Sequence, residues 1–305
     1  MLFACGLRIA GADDSSFDVR VVSVLPWLLA PSLPLLVLSL LRRKRCLAAI
    51  AAISLLAAVA WEAPVMWPIA RAPSPGTNFR LLLFDANVAQ DNYDLTGIAS
   101  EIARDRPDLV TLEELTPLAA DSLRRSGVLS GYQWSLIRPE RGAGGMGVWS
   151  KIPAIGLRVW MVPPDQVEID GWIQPSGAPA VRLDAVHVYA PVGTDEPARW
   201  INQLARVRVH LSREPKPLIV AGDFNATTDD RPFQRILGLG LSDAAVLAGD
   251  GWEMTWPRNQ AWVIPYVRID HILLSKALTV TGYRLGTGKG SDHFPVVVDL
   301  AFRAR

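Results

Sequence analysis

The pattern of apolar and polar positions divides the chain into two unequal parts. Residues 21–41, VVSVLPWLLAPSLPLLVLSLL, contain no charge, and a second uncharged run, CLAAIAAISLLAAVAW, fills residues 46–61. A helix crosses a bilayer core in about 20 apolar residues, so the first run is long enough and the second sits at the short end. Pro26, Pro31 and Pro34 each remove a backbone donor from the first run, a defect that membrane helices tolerate. Between the runs stands Arg-Arg-Lys-Arg, residues 42–45. Basic turns stay on the cytoplasmic side. The reading is a transmembrane helical hairpin, multi-pass in the cell membrane, with the remaining chain outside the cytoplasm. If 46–61 only lies on the surface, that remainder stays in the cytoplasm with the basic turn. Trp61 and Trp67 suit the headgroup level. A cleaved signal peptide fits less well, because an apolar segment already precedes the basic turn.

Residues 71–78, RAPSPGTN, read as a short extended linker. The domain boundary falls there, with a membrane region over 1–70 and a second domain over 79–305. In the second domain the pattern changes to short apolar runs that end in polar residues. FRLLLFDANV, DLVTLEEL, GGMGVWSK, VRLDAVHVYAPVG, PLIVAGDFN, RIDHILLS and DHFPVVVDLAF all read as strands. DLTGIASEIARDRPDLV spaces Ile98, Ala99 and Ile102 on one helical face and stops before Pro107. EPARWINQLARVRVHLSRE does the same with Trp200, Leu204 and Val207. Strands outnumber scattered helices, which predicts an α+β domain of packed sheets with helices outside.

Composition adds limits. Half of the 305 residues are hydrophobic and mean hydropathy is positive, which fits membrane segments. A net charge of +1 argues against a protein that coats nucleic acid. Both cysteines, Cys5 and Cys46, precede residue 50, so the second domain holds neither a disulfide nor a thiolate zinc site.

The candidate chemistry lies where the predicted strands end. In IVAGDFNATTDD, Asp223 and Asn225 close an apolar run, and a strand places residues two apart on one face. The bland reading is an Asx turn. Other runs end near Asn87, Glu113, Glu114, His187, Asp270, Asp292 and His293. Each alone reads as an ordinary surface or turn residue, but so many proton- and metal-handling groups at strand ends exceed what solubility demands. GAGGMG, residues 142–147, lacks the Lys-Ser/Thr and the helix of a phosphate loop and reads as a loop before a strand. His210 and His271 read as structural, and Trp256 as packing or as a neighbour of the substrate.

DLVTLEEL, HVYAP, AGDFNAT, RIDHIL and GSDHFPV occur in an order that resembles the endonuclease/exonuclease/phosphatase superfamily, in particular its bacterial membrane-linked branch. The resemblance covers about residues 79–303. It implies a four-layered α/β/β/α sandwich of two mixed sheets flanked by helices. It also implies a phosphate-ester hydrolase dependent on a divalent cation, Mg²⁺ first, with Mn²⁺ or Ca²⁺ as alternatives. By the same resemblance Asn87, Glu114 and Asp292 match metal-site positions. Asp223, Asn225, His187, Tyr189, Asp270 and His293 match catalytic ones. Glu113 stands where many members have glutamine, which leaves two adjacent acids as candidate ligands.

The chemistry of these groups suits such roles. Hard carboxylate oxygens suit Mg²⁺, and an anionic ester needs charge neutralisation and an activated water. Asp270 can hold the His293 imidazole, which then takes a proton or stabilises the transition state. Asp223 is a second candidate base. The first reading is a membrane-anchored nuclease-like phosphodiesterase. The alternatives are a phosphatase or a phospholipase/sphingomyelinase-type esterase acting on lipid head groups, and, less favoured, a non-catalytic binding module. Expected partners are a phosphate-ester substrate, nucleic acid or lipid head group, and the membrane. No obligate protein partner is evident. Arg138, Arg141 and Arg258 are candidate phosphate contacts.

Overall fold

The computed structural model describes residues 1–11, 15–66, 79–162, 166–193, 196–259 and 262–304. The expected linker 71–78 and Trp67 lie outside the described residues.

Five helices come first: α1 (Leu2–Ala10), α2 (Ser16–Ser23), α3 (Leu25–Leu29), α4 (Ser32–Leu41) and α5 (Arg45–Met66). The strands that follow are β1 (Leu81–Asn87), β2 (Leu109–Glu113), β3 (Trp134–Arg138), β4 (Met146–Ser150), β5 (Ala154–Val162), β6 (Gln166–Ile173), β7 (Val181–His187), β8 (Leu218–Asp223), β9 (Leu241–Asp243), β10 (Asp270–Ser275), β11 (Leu278–Leu285) and β12 (Val296–Phe302). Between them lie α6 (Thr96–Asp105), α7 (Pro117–Ser126), α8 (Glu196–Arg213), α9 (Arg231–Leu237) and α10 (Ala244–Ala248).

The strands form two mixed sheets in the orders β11-β12-β1-β2-β4-β3 and β5-β6-β7-β8-β10-β9. Period two explains the sandwich. In β1, Leu81 and Leu83 enter the core between the sheets, while Phe84 and Ala86 face the helices. In β8, Ile219 and Ala221 face the other sheet and Leu218 and Val220 face outward. Both faces are covered, so these strands read as unbroken apolar runs. Ile98 and Ile102 of α6 and Leu123 of α7 cover the first sheet; Trp200 and Leu204 of α8 and Phe233 of α9 cover the second. The expected layering of packed sheets between helices is present.

Each sheet contains one parallel central pair, β1 with β2 and β7 with β8. Asn87 lies opposite Glu113 in the first pair and His187 opposite Asp223 in the second. Strand β10 runs antiparallel to β8 and sets Asp270 opposite Asp223. Strand β12 runs antiparallel to β1, with Val296 opposite Asp85. The loop before β12, with Asp292 and His293, therefore arrives at the same end of the sandwich.

The N-terminal region departs from two simple helices. The run 21–41 is not one helix: α2 meets the Leu25–Leu41 stretch at 65°. Pro26 stands in the first turn of α3, where its missing N–H costs nothing, and Pro31 is the N-cap of α4. Two new helix starts thus break the run, which still passes the length and composition of a span when the bent pair is taken as one. The run 46–61 extends to Arg45–Met66, the one described helix that is long and apolar enough alone to cross a bilayer. Helices α4 and α5 pack on their small residues. Ser32, Ser39, Ala48, Ala51 and Ser54 are buried, while Leu40, Leu41, Leu47, Ile53, Leu56 and Val59 are more than half exposed.

Helices α1 to α3 are docked on the second domain. Arg8 Nε pairs with Asp229 Oδ1 at 2.7 Å, and Trp27 Nε1 donates to the Tyr266 carbonyl at 2.7 Å. Ser23 Oγ bonds the Asp230 carboxylate at 3.3 and 3.4 Å. Val19 is buried in the cluster that contains Trp200 and Phe233.

Candidate active site

Asp223 is the last residue of β8. Gly222 before it has φ 141°, and a Cβ there would lie 1.8 Å from the Val186 carbonyl oxygen, so only glycine lets β8 approach β7 this closely. Asn225 follows in the left-handed region at φ 48°. Its N–H donates to Asp223 Oδ1 at 2.8 Å, and its Nδ2 donates to the Val188 carbonyl at 2.8 Å and to Asp223 Oδ2 at 3.2 Å. The two side chains meet through this turn and not through the strand pleat, which ends at Asp223. Asn225 thereby orients Asp223.

Asn87 also orients carboxylates. Its Nδ2 lies 3.0 Å from both Glu114 Oε1 and Asp223 Oδ2, and its Oδ1 accepts from the Ala89 N–H at 2.9 Å. Through Nδ2, Asn87 joins the acids of the two sheets. Glu114, at φ 54°, also accepts from the Gln90 N–H at 2.7 Å. Positive φ at two non-glycine residues is backbone strain gathered at one site.

The two histidines approach the same carboxylates. His187 Nε2 lies 3.8 Å from Glu114 Oε1 and 3.9 Å from Asp223 Oδ2. His293 Nε2 lies 3.9 Å from Asp223 Oδ2, and its Nδ1 lies 3.1 and 3.0 Å from the two oxygens of Asp270. Burial pushes the His187 imidazole down. Burial also opposes charge on His293, but the charge and hydrogen bond of Asp270 outweigh it and lift His293 to about 10. Asp223 is raised well above the usual carboxylate range, by burial first and then by the Asp270 charge.

Asp292 Oδ2 accepts from Trp256 Nε1 at 3.0 Å. Glu114, His187, Tyr189, Asp223, Asn225, Trp256, Asp292 and His293 all line one cleft of about 1100 Å³. Asn87 and Asp270 are buried behind it. Tyr189 lies with its ring 3.9 Å from the Arg199 guanidinium. Every residue expected to carry the chemistry thus converges on this cleft or its wall.

Glu113 is fully buried beside Asp85, with the Asp270 and Asp223 charges also acting on it, whereas Glu114 lines the cleft. Burial, and next the Asp85 charge, push Glu113 well above its usual range, and burial lifts Asp85 to about 7. His271 accepts its structural reading, because it joins Asp243 at 2.6 Å and the Ala226 carbonyl at 2.8 Å. His210 contacts Asp184 at 2.8 Å beneath α8. Ser291 was missed: its Oγ donates to the Asn87 carbonyl at 2.7 Å and accepts from the His293 N–H at 3.0 Å, fastening the β12 loop to β1. The serine in GSDH was the only signal for it.

The site offers hard oxygen donors, and Asp223, Asp270 and His293 bring ligand atoms within 4.8 Å of one another. Buried acids that repel one another and carboxylates from both sheets fit a divalent cation at this end of the sandwich.

The profile of the Endonuclease/Exonuclease/phosphatase family matches residues 78–293, well over half of the chain. The chain belongs to the endonuclease/exonuclease/phosphatase family. Members of this family are phosphoester hydrolases, and this chain is such an enzyme. No curated protein matches the chain. Solved structures share the fold. TDP2 from D. rerio, complexed with a single-strand DNA product, has a TM-score of 0.61 at 21% identity and covers 73% of this chain and 99% of its own. An endonuclease/exonuclease/phosphatase from Beutenbergia cavernae has a TM-score of 0.58 at 20% identity, covering 73% of this chain and 72% of its own. The 3′ phosphatase NExo from Neisseria, bound to a product DNA hairpin, has a TM-score of 0.56 at 21% identity, covering 72% and 98%.

Proposed function

We propose that this family member is a membrane-anchored, Mg²⁺-dependent phosphodiesterase that cleaves its ester by attack of water. The observation that carries the reading is the convergence of Glu114, Asp223, Asp292 and the Asp270–His293 pair on one cleft. Glu114 and Asp292 would hold the cation, with Asp223 beside them. When bound, a divalent cation polarises a phosphoryl oxygen and offsets its charge.

The chain's own groups divide the remaining work. Asn87 and Asn225 fix both oxygens of Asp223, and the free lone pairs of this carboxylate face the cleft as a base for water. His293, with Asp270 behind it, presents Nε2–H toward Asp223 and donates to a non-bridging oxygen as charge grows there. His187, kept neutral by burial, completes the far wall. Deprotonated Asp223 and protonated His293 are the working states.

The inside-out packing of α4 on α5, small residues within and leucines outside, supports insertion in a bilayer. Gly251 of the second domain sits against Val65 near the end of α5, away from Arg42 to Arg45. The catalytic domain is then extracytoplasmic if the basic turn is inside.

Nucleic acid is the first substrate class to test, since the TDP2 and NExo structures contain DNA. The cleft supplies few cations for a polyanion: Arg20 and Arg199, with His293. Arg138 and Arg141 are exposed beyond it, and Arg258 is engaged by the Ser291 carbonyl at 3.2 Å and by Asn259. Lipid head groups are the second class. Full-length protein in nanodiscs with Mg²⁺, assayed against oligonucleotides, phosphoinositides and sphingomyelin, tests the reading. Hydrolysis of one class, abolished by a chelator, supports it, and no hydrolysis of any class contradicts it.

A further inference from the structure

The catalytic cleft is not built by the phosphoesterase domain alone. Helix α2 and the start of α3 form one of its walls, with Phe17, Val21, Val24 and Leu28 lining the same cavity as Asp223 and His293. The helix is fixed in that place from both ends. At its start Ser16 Oγ donates to the Gly193 carbonyl, Val19 and Val22 are buried, and at its end Ser23 reaches Asp230. Burying Val19 and Val22 leaves Phe17 63% exposed and Val21 and Val24 half-buried, on the side open to the cleft. One basic side chain, Arg20, accompanies them.

We propose that this wall is a specificity element that binds the apolar chain of an amphiphilic phosphate ester, so that the enzyme selects esters by the hydrocarbon attached to the phosphoryl group. The inference rests on the phosphoesterase reading and names its substrate class. Two features commit it to a hydrocarbon. The wall is continuous with the reacting end, because His293, Asp223 and the apolar α2 side chains share one cavity of about 1100 Å³, more than a phosphoryl group and a small alcohol fill. The wall is also continuous with the exposed apolar surface of the hairpin. Leu28 is 38% exposed and lies four residues before Ser32, where α4 begins with its outward leucines. A chain leaving the reacting centre along α2 and α3 thus stays in contact with apolar side chains up to the segment read as entering the bilayer. A polynucleotide would instead set sugar and charged phosphate against this wall.

The test uses p-nitrophenyl alkyl phosphates with methyl, butyl and octyl groups, kept below their micelle concentrations, on full-length protein in nanodiscs. They share one leaving group and differ only in hydrocarbon. Burying each methylene is worth about fourfold at most, so kcat/KM should rise at least ~10-fold from methyl to octyl. The octyl-to-methyl ratio should fall toward one in Val21→Asp and in Leu28→Asp, and should keep its wild-type value in Val209→Asp, an exposed site on α8. The bilayer is common to all variants, so partitioning cancels. A wild-type ratio near one, or a ratio that Val209→Asp lowers as much as Val21→Asp, overturns the inference. Hydrolysis of an oligonucleotide with a higher kcat/KM than the octyl ester overturns it too. If wild-type protein hydrolyses no ester, the phosphoesterase reading falls, and calorimetry with octyl and methyl phosphate then decides the wall. Tighter octyl binding that Val21→Asp removes supports it, and equal binding overturns it.

Discussion

His293 is clamped through Nδ1 to both oxygens of Asp270, at 3.1 and 3.0 Å, and turns Nε2 to Asp223 across 3.9 Å. The gap is too wide for a direct hydrogen bond. Asp270 and Asp223 are cross-strand partners on β10 and β8, so one sheet sets the spacing of the two carboxylates, and the loop before β12 of the other sheet brings His293 to them. Two consequences follow for the reaction. His293→Ala removes the donor to the phosphoryl oxygen and should lower kcat by ~10²–10⁴. Asp270→Asn keeps the ring but loses the charge behind it and should cost about tenfold or more in kcat with a smaller change in KM. Steady-state kinetics on a chromogenic phosphodiester check both; a larger loss in Asp270→Asn than in His293→Ala would contradict the assigned order.

Asp243, Arg268 and His271 form a buried ion cluster next to β10 and outside the cleft. Burial opposes ionisation of Asp243, but Arg268 and His271 outweigh it and hold the carboxyl well below its usual range. A depressed folded-state value stabilises the protein above the unfolded value, near 3.9, and that contribution is lost as pH falls through the folded value. Wild-type stability should therefore decline below about pH 4, and part of the decline should vanish in Asp243→Asn. Asp243→Ala leaves Arg268 buried without its partner and should cost about 3–5 kcal/mol. Denaturant titrations at pH 7 and pH 3.5 measure both effects.

Much of the active site was legible because its groups sit at fixed points of strong local patterns. Asp223 ends an apolar run broken by Gly222, and His293 opens another before β12, so the ends could be located before the fold was known. The roles of Asn87 and Asn225 were less legible. A carboxamide can ligate, donate or orient, and the contacts with Val188 and Glu114 come from segments 37 and 27 residues away that no local pattern places beside it. Strands β5 and β6 were missed because their outer face is polar: Glu168 and Asp170 are buried there, with Asp170 paired to Arg158 and Arg182, and a polar alternation reads as surface. The wall formed by α2 was invisible for another reason. Only its last three residues fall in the membrane-like run, and the docking of α1 to α3 through Arg8, Ser23 and Trp27 depends on partners some 200 residues away. The straight helix expected over 21–41 failed at Pro26 and Pro31, whose effect on geometry depends on where helices restart.

Mg²⁺ should stabilise the folded chain independently of any turnover. A ligand at one hundred times its Kd adds ~2.7 kcal/mol. Calorimetric melting with and without Mg²⁺ should show a rise in Tm that shrinks in Glu114→Gln and in Asp292→Asn. Equal shifts in wild type and both variants would place the ion elsewhere.

The hairpin reading predicts the side of the membrane. A reporter fused after Arg305 should be active outside the cytoplasm only. Leu56→Arg, on the exposed face of α5, should release part of the protein from the membrane fraction on alkaline extraction. Cytoplasmic reporter activity would leave the α4–α5 pair without its assigned role.

The convergence of Asp223 with its cation site is tested most directly by hydrolysis of bis(p-nitrophenyl) phosphate by the full-length protein, titrated with Mg²⁺, in wild type and Asp223→Asn. Asp223→Asn keeps the size of the side chain and removes its charge, and its new NH2 faces a donor of Asn87 or Asn225, so far-UV circular dichroism is recorded on the variant to confirm its fold. The expected result is hydrolysis that saturates with Mg²⁺ in wild type and falls by ~10² or more in the variant. Equal rates in the two proteins, or hydrolysis indifferent to a chelator, would contradict the account.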